Sequence, residues 1–317
     1  MAKPDNDTAR LDAAARAGWL YYVVGNTQDE IAHKLKVSRA TAQRLVSLCL
    51  SQRLITFRLE HPIAACMDLA AQLQDRFALR FCEVAPTDPS DVGSIIGIAE
   101  RAAVLLETTL RSETPSIIGL GTGRALHATV DRLPAIQAPQ HQLVSLVGNI
   151  SPDGSASPFD ASAKLADLTG AQYYPMPLPA LLSSPKERRN LLQIHAVQRI
   201  RAIAEATTLR LVGVGQLDQT APLHVDRFLN RVELLELIRL GAAGEIIGWA
   251  FDHDGRVIEG GSNSRLTSVP HPAPGGGLTV GVAAGSSKVT PVQAALKGGL
   301  ITGLITDEST AKAILAG

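Results

Sequence analysis

TQDEIAHKLKVSRATAQRLVSLCL, residues 27–50, reads as two short helices joined by a tight turn. Thr27 and Glu30 have capping-box spacing: the hydroxyl accepts one orphan N–H at the helix start and the carboxylate accepts another. Ile31, Ala32 and Leu35 fall on one helical face. Lys36 and Val37 make the turn, and Ser38 is a natural N-cap for the second helix. In that helix Ala42, Leu45, Val46 and Cys49 point inward, while Arg39, Ala40, Gln43, Arg44 and Ser47 point outward. Small Ala32 lets the two helices cross closely. This is the layout of a helix-turn-helix, whose second helix enters the DNA major groove. Gln suits adenine and Arg suits guanine, so Arg39, Gln43 and Arg44 are candidates to read bases or phosphates. Thr27, Gln28, Ser38 and Thr41 are candidate phosphate contacts. The turn position usually held by Gly is Lys36, and a left-handed non-Gly residue costs about 1 kcal/mol. The competing reading is an ordinary helical hairpin packed on a core.

Working outward, a helix over residues 8–24 precedes the motif and completes a three-helix head. ITFRLE, residues 55–60, alternates like a short strand and could form a wing; His61-Pro62 ends the head. Residues 1–62 are thus expected to be a DNA-binding domain and residues 63–317 a second, larger one. The net charge of zero hides an asymmetry, because residues 1–60 carry nine Lys/Arg against six Asp/Glu. A modestly basic head on a slightly acidic body fits DNA binding confined to one end. So few charges bind weakly, and oligomerisation would multiply the phosphate contacts. In residues 63–77, Cys66, Leu69, Leu73 and Phe77 form a helical stripe. That helix either connects and pairs subunits or packs on its own body.

Beyond Leu79, short apolar runs alternate with helical stretches: FCEVAP, SIIGLG, QLVSLVGNI, LRLVGVG, EIIGWAFD, LTVGVAAG and LITGLIT. The pattern argues an α/β domain, a doubly wound and mostly parallel sheet covered by helices. Ser184, Pro185 and Glu187 open a helix expected to run to about Ala206. Ligands of such sheets bind beyond the carboxyl ends of strands, at Gly-rich loops. Gly121, Thr122, Gly123 and Arg124 follow an apolar strand and open a helix, which suits a phosphate or polyhydroxylated ligand; a turn built only for tight packing is the alternative. In GVAAGSSK, Gly285, Ser286 and Ser287 can cradle oxygens and Lys288 adds a charge before Thr290-Pro291, which caps the next helix. Gln216 and Glu245 are candidate hydroxyl partners. Asp252 either binds ligand or orients its own turn. Asn149 and Asp153 are weaker candidates, and Asp307 suits a helix start.

Cys49, Cys66 and Cys82 lack metal-type spacing and sit in apolar contexts, which predicts buried thiols in a reducing cytoplasm and no metal. No run approaches a membrane span, and the start lacks the apolar stretch of a signal peptide. RNA binding is disfavoured, since the head has no aromatic stacking platform.

Together the head motifs, GLGTGRAL, VGVGQ, GAAGEIIGWAFDHDG and the VAAGSSKVTPVQAALKGGLITGLITDESTA block resemble the SorC family (SorC/DeoR type) of sugar-responsive transcriptional regulators across nearly the whole chain. The resemblance implies an effector domain with the fold of sugar-phosphate isomerases and deaminases, and no cofactor. It implies a tetramer or dimer of dimers on operator DNA, with sugars, polyols or their phosphates as effectors. The GLGTG loop is similar to the phosphate loop of ribose-5-phosphate isomerases. By that match Gly121, Thr122, Gly123, Arg124 and Lys288 fall at effector positions, with Gln216, Glu245 and Asp252 carried over as well. An isomerase or deaminase bearing a DNA-binding head is the alternative. Such an enzyme needs a carboxylate base, and the isomerase D-G-A-D motif is absent: the two Asp-Gly pairs read DGS at Asp153 and DGR at Asp254.

Overall fold

A computed structural model describes residues 6–52, 54–55, 63–148, 160–272 and 276–317. The chain divides into two compact units, residues 1–61 and 62–317. No helix among the described residues is long and apolar enough to cross a membrane.

In the first unit, helices α1 (Asn6–Tyr22), α2 (Gln28–Leu35) and α3 (Arg39–Ser51) enclose Ala17, Leu20, Ile31, Ala32, Ala42 and Val46. The capping box of Thr27 and Glu30 is formed, and Ser38 caps α3 by accepting the Thr41 N–H at 3.1 Å. Lys36 terminates α2 in the left-handed region at φ 53°, with no glycine needed. Helix α1 starts and stops two residues earlier than the periodicity suggests. The expected strand after α3 lies outside the described residues, apart from Ile55.

The second unit begins with α4 (Ala64–Phe77), β1 (Phe81–Ala85), α5 (Ile96–Leu110), β2 (Ile117–Leu120), α6 (Arg124–Val130) and β3 (Gln142–Ser145). Next come α7 (Ser162–Thr169), β4 (Gln172–Tyr174), α8 (Pro185–Leu191), α9 (His195–Glu205), β5 (Leu209–Gly213) and β6 (Gly215–Gln216). Then follow α10 (Pro222–Val225), α11 (Arg231–Arg239), β7 (Ala242–Ile246), β8 (Trp249–Asp252), β9 (Leu278–Val282), α12 (Val289–Lys297), β10 (Gly303–Asp307) and α13 (Glu308–Ala316).

Seven strands form one parallel sheet in the order β1-β10-β9-β5-β2-β3-β4. Alternate residues feed the two faces, as a period of two requires. Leu209 and Leu211 of β5 join a core with α5, α6 and α7; Val212 and Val214 join another with α4, α9, α12 and α13. Helices on both faces make the sheet doubly wound. Strand order reverses between β2 and β5, and their carboxyl ends therefore open a crevice, the place where such sheets bind ligands.

Several elements differ from the sequence reading. EIIGWAFD is not one strand: it holds the end of β7, a turn and β8 of an antiparallel hairpin. Ile247 and Gly248 both take positive φ, 46° and 87°, so β7 turns back into β8, the geometry of a two-residue hairpin turn. With β6 this hairpin makes a separate three-stranded sheet. Residues 185–206 form two helices. Continued unbroken, the first would align Leu191 and Leu192 with polar His195, Gln198 and Arg199. The break instead lets α9 turn Val197 and Ala204 inward. Helix α12 starts at Val289, one residue before Thr290, with Lys288 at its cap position. Strand β4 is short and was not anticipated. The α4 stripe packs on its own domain: Cys66, Leu69 and Leu73 are buried in the core shared with α12 and α13, so that stripe is not available to pair subunits.

Candidate functional site

A cavity of 280 Å³ opens at the reversal between β2 and β5. Its wall is mostly apolar, with Ile95, Val147, Leu223, Phe228, Ile247 and Leu266 among the lining residues. The volume lies just below the roughly 300–1,000 Å³ usual for small-molecule sites, which suits a ligand of sugar size.

The polar groups come from loops at the strand ends. Thr122 and Gly123 follow β2, and Gly123 adopts φ 131°, a conformation that favours glycine. The Thr122 Oγ1 is buried and has no hydrogen-bond partner among the described residues. Arg124 lines the cavity and is ion-paired to Asp226 at 2.8 Å. From β6, Gln216 accepts a hydrogen bond from the Lys288 Nζ at 2.5 Å. Glu245 of β7 accepts the Gly248 N–H at 2.8 Å, and its carboxylate lies over Gly215, where a Cβ would come within 2.0 Å of Oε1. Burial raises the Glu245 pKa, opposed by the Gly248 N–H and by Lys288. Burial lowers the Lys288 pKa, opposed by Glu245 and Asp218. A carboxylate and an ammonium, both partly buried, thus lie in each other's field at the cavity.

Of the residues singled out in the sequence, Thr122, Gly123, Arg124, Gln216, Glu245 and Lys288 converge on this cavity. Four others do not. Gly121 is buried and donates its N–H to the Leu211 carbonyl, bonding the end of β2 to β5. Ser286 and Ser287 are exposed and outside the lining. Asp252 accepts the N–H groups of Asp254 and Arg256, both at 2.9 Å, so it orients its own turn. Asp307 caps α13 and also accepts the Thr87 and Ser309 hydroxyls, a structural role. Asn149 and Asp153 lie outside the described residues. Sequence reasoning passed over Asp226 and Ser262, which also line the cavity. Neither stands in a motif; GGSNSR around Ser262 reads as an ordinary polar turn.

In the head, Arg39, Gln43 and Arg44 are exposed on one face of α3. Arg39 meets Asp29 at 3.4 Å, and Arg44 donates back to the Ala40 carbonyl at 3.2 Å. Thr27, Ser38 and Thr41 are engaged in capping bonds. Gln28, half-buried, opens α2. Cys49, Cys66 and Cys82 are buried free thiols, with burial pushing Cys82 up to about 12.

A capped helix-turn-helix joined to a doubly wound sheet with a polar-edged cavity at its strand reversal defines a ligand-controlled DNA-binding regulator. Residues 61–316 match the family model described as "Putative sugar-binding domain". The chain is 31% identical over 302 residues to the erythritol catabolism regulatory protein EryD of Brucella abortus (strain 2308), covering 95% of this chain and 96% of that one. It is 31% identical over 317 residues to the transcriptional regulator LsrR of Escherichia coli (strain K12), covering 96% and 94%. The full-length sorbitol operon regulator SorC from Klebsiella pneumoniae shares the fold, with a TM-score of 0.71 at 24% identity over 97% of this chain and 99% of that one. The chain belongs to the SorC family of sugar-binding transcriptional regulators.

Proposed function

We propose that the head binds operator DNA through α3 and that a sugar, polyol or sugar phosphate in the cavity controls that binding. The relative named for erythritol catabolism supports a carbohydrate or polyol catabolic operon as the target. The observation that carries the reading is the convergence of loops after β2, β5 and β6 with Glu245 and Lys288 on one cavity. The protein acts by binding, without catalysis. Glu245 is the nearest thing to a base, and it already accepts the Gly248 N–H and lies in the field of Lys288. The head's few charges favour a tetramer on DNA, since each added head adds phosphate contacts. Ligand that prefers one arrangement of subunits shifts the spacing of paired heads, which dimeric readers need fixed.

The test measures binding of the full chain to DNA upstream of its own operon, by fluorescence anisotropy, across a panel of sugars, polyols and their phosphates. Arg44→Ala should weaken DNA binding at least fivefold while ligand affinity, read by calorimetry, stays unchanged. Equal loss of both, or of neither, would remove α3 as the reading helix. No effect of any panel member on DNA binding would remove the cavity as a control site.

A further inference from the structure

Among the described residues the charges lining the cavity cancel. Arg124 faces Asp226. Lys288 is held by Gln216 and lies in the field of Glu245 and Asp218. Two cations in the wall therefore meet two carboxylates in the same wall. A phosphate ester would bring about −2 charge to cations that already have partners, beside a mostly apolar wall where uncompensated charge is costly. An uncharged polyol adds no charge, and its hydroxyls both donate and accept. The carboxylates of Glu245 and Asp226 can accept from it, and the apolar wall can take its C–H faces.

Two further hydroxyls await a partner. The Oγ of Ser262 and the Oγ1 of Thr122 are buried, and neither is hydrogen-bonded among the described residues. Ser262 is only 4% exposed. It sits on the 3-10 turn Gly261–Arg265, which the next residue fixes in place. The Asn263 amide accepts from the Ala250 N–H and donates to the Ala250 and Ile258 carbonyls, all within 2.9 Å. A buried hydroxyl left unpaired costs roughly 1–3 kcal/mol. Here that cost is borne on a rigid turn beside a cavity, where a ligand hydroxyl would remove it.

We propose that the cavity takes an uncharged polyol whose hydroxyls are anchored by Thr122 and Ser262, so that Ser262 is a ligand-binding residue marked by no sequence motif. This rests on the cavity being the effector site. The 280 Å³ volume suits a short-chain polyol.

The test is calorimetry on the full chain with erythritol, ribitol and glucitol, each beside its terminal phosphate ester. One of the uncharged polyols should bind at least tenfold more tightly than its ester. Ser262→Ala and Thr122→Val should each lower that polyol's affinity at least tenfold, about 1.4 kcal/mol. Thermal melting of the ligand-free variants checks that they fold. Tighter binding of an ester by the unaltered chain would overturn the uncharged-ligand assignment and leave the effector site standing. Unchanged polyol affinity in folded Ser262→Ala would overturn the role of Ser262. If no polyol or ester binds or alters DNA affinity, the effector reading falls together with the proposal.

Discussion

Two cations, Arg210 of β5 and Lys288 beyond the strand's carboxyl end, lie near opposite ends of β5, and the two ends treat them differently. Near its amino end Arg210 is fully buried, with every guanidinium nitrogen satisfied. Nε donates to the Thr207 hydroxyl, one terminal nitrogen to the Pro270 carbonyl and the other to the Ala204 carbonyl, at 2.7, 3.2 and 2.6 Å. Past its carboxyl end Lys288 is half-buried, with one side chain bond to Gln216 and a cavity beside it. Both cations are desolvated, and burial lowers the pKa of each. The difference is closure. Arg210 bonds through all three of its nitrogens and ties β5 to the loops around it. The strand's other end keeps polar capacity open toward a space that can be filled.

The same substitution at both ends sharpens this contrast most. Arg210→Met should cost at least about 3 kcal/mol of stability, because three buried acceptors lose their donor and a void opens. Urea denaturation of the full chain measures it. Loss below 1 kcal/mol would mean that the amino end tolerates openness as well.

The amino end should also show its closure in its pH response. His271 is buried, and its pKa is pushed down from 6.5 to about 4, by burial first and by Arg210 second. The unfolded chain takes up this proton near pH 6.5, whereas the folded domain resists it until about 4. The stabilisation is therefore complete above 6.5 and is lost as pH falls toward 4, by about 3 kcal/mol in all. Thermal melting between pH 7 and 4 should show this loss, and His271→Gln should flatten that part of the curve. An unaltered curve in the variant would assign the acid sensitivity elsewhere.

Lys288→Met should change stability least, by about 1 kcal/mol or less, since the methionine keeps much of the apolar stem in place. Its effect should appear in ligand response, with the affinity for the effector falling at least tenfold in calorimetry. Normal response would remove Lys288 from the site. A stability loss matching that of Arg210→Met would erase the distinction between the two ends.

The head was legible nearly residue by residue, because helix caps and turns are local. Thr27 with Glu30, Ser38 with Thr41, and left-handed Lys36 involve neighbours within a few positions. The parallel sheet was legible for a related reason: buried strands read as apolar runs. The hairpin at Ile247-Gly248 was not, since a β-branched residue at positive φ contradicts its own local preference. Nor was the fate of Asp252, whose carboxylate turns to its own backbone instead of to the cavity.

By itself, then, the sequence determined the elements, their alternation and the loops able to hold a ligand, since these follow from periodicity and short-range hydrogen bonding. Only the tertiary structure decided which of those loops share a cavity. It paired Arg124 with Asp226 across about a hundred residues, left Ser262 without a hydrogen bond among the described residues beside Thr122's cavity, and buried Arg210. Burial and partnership are properties of groups brought together from distant parts of the chain, and no local pattern encodes them.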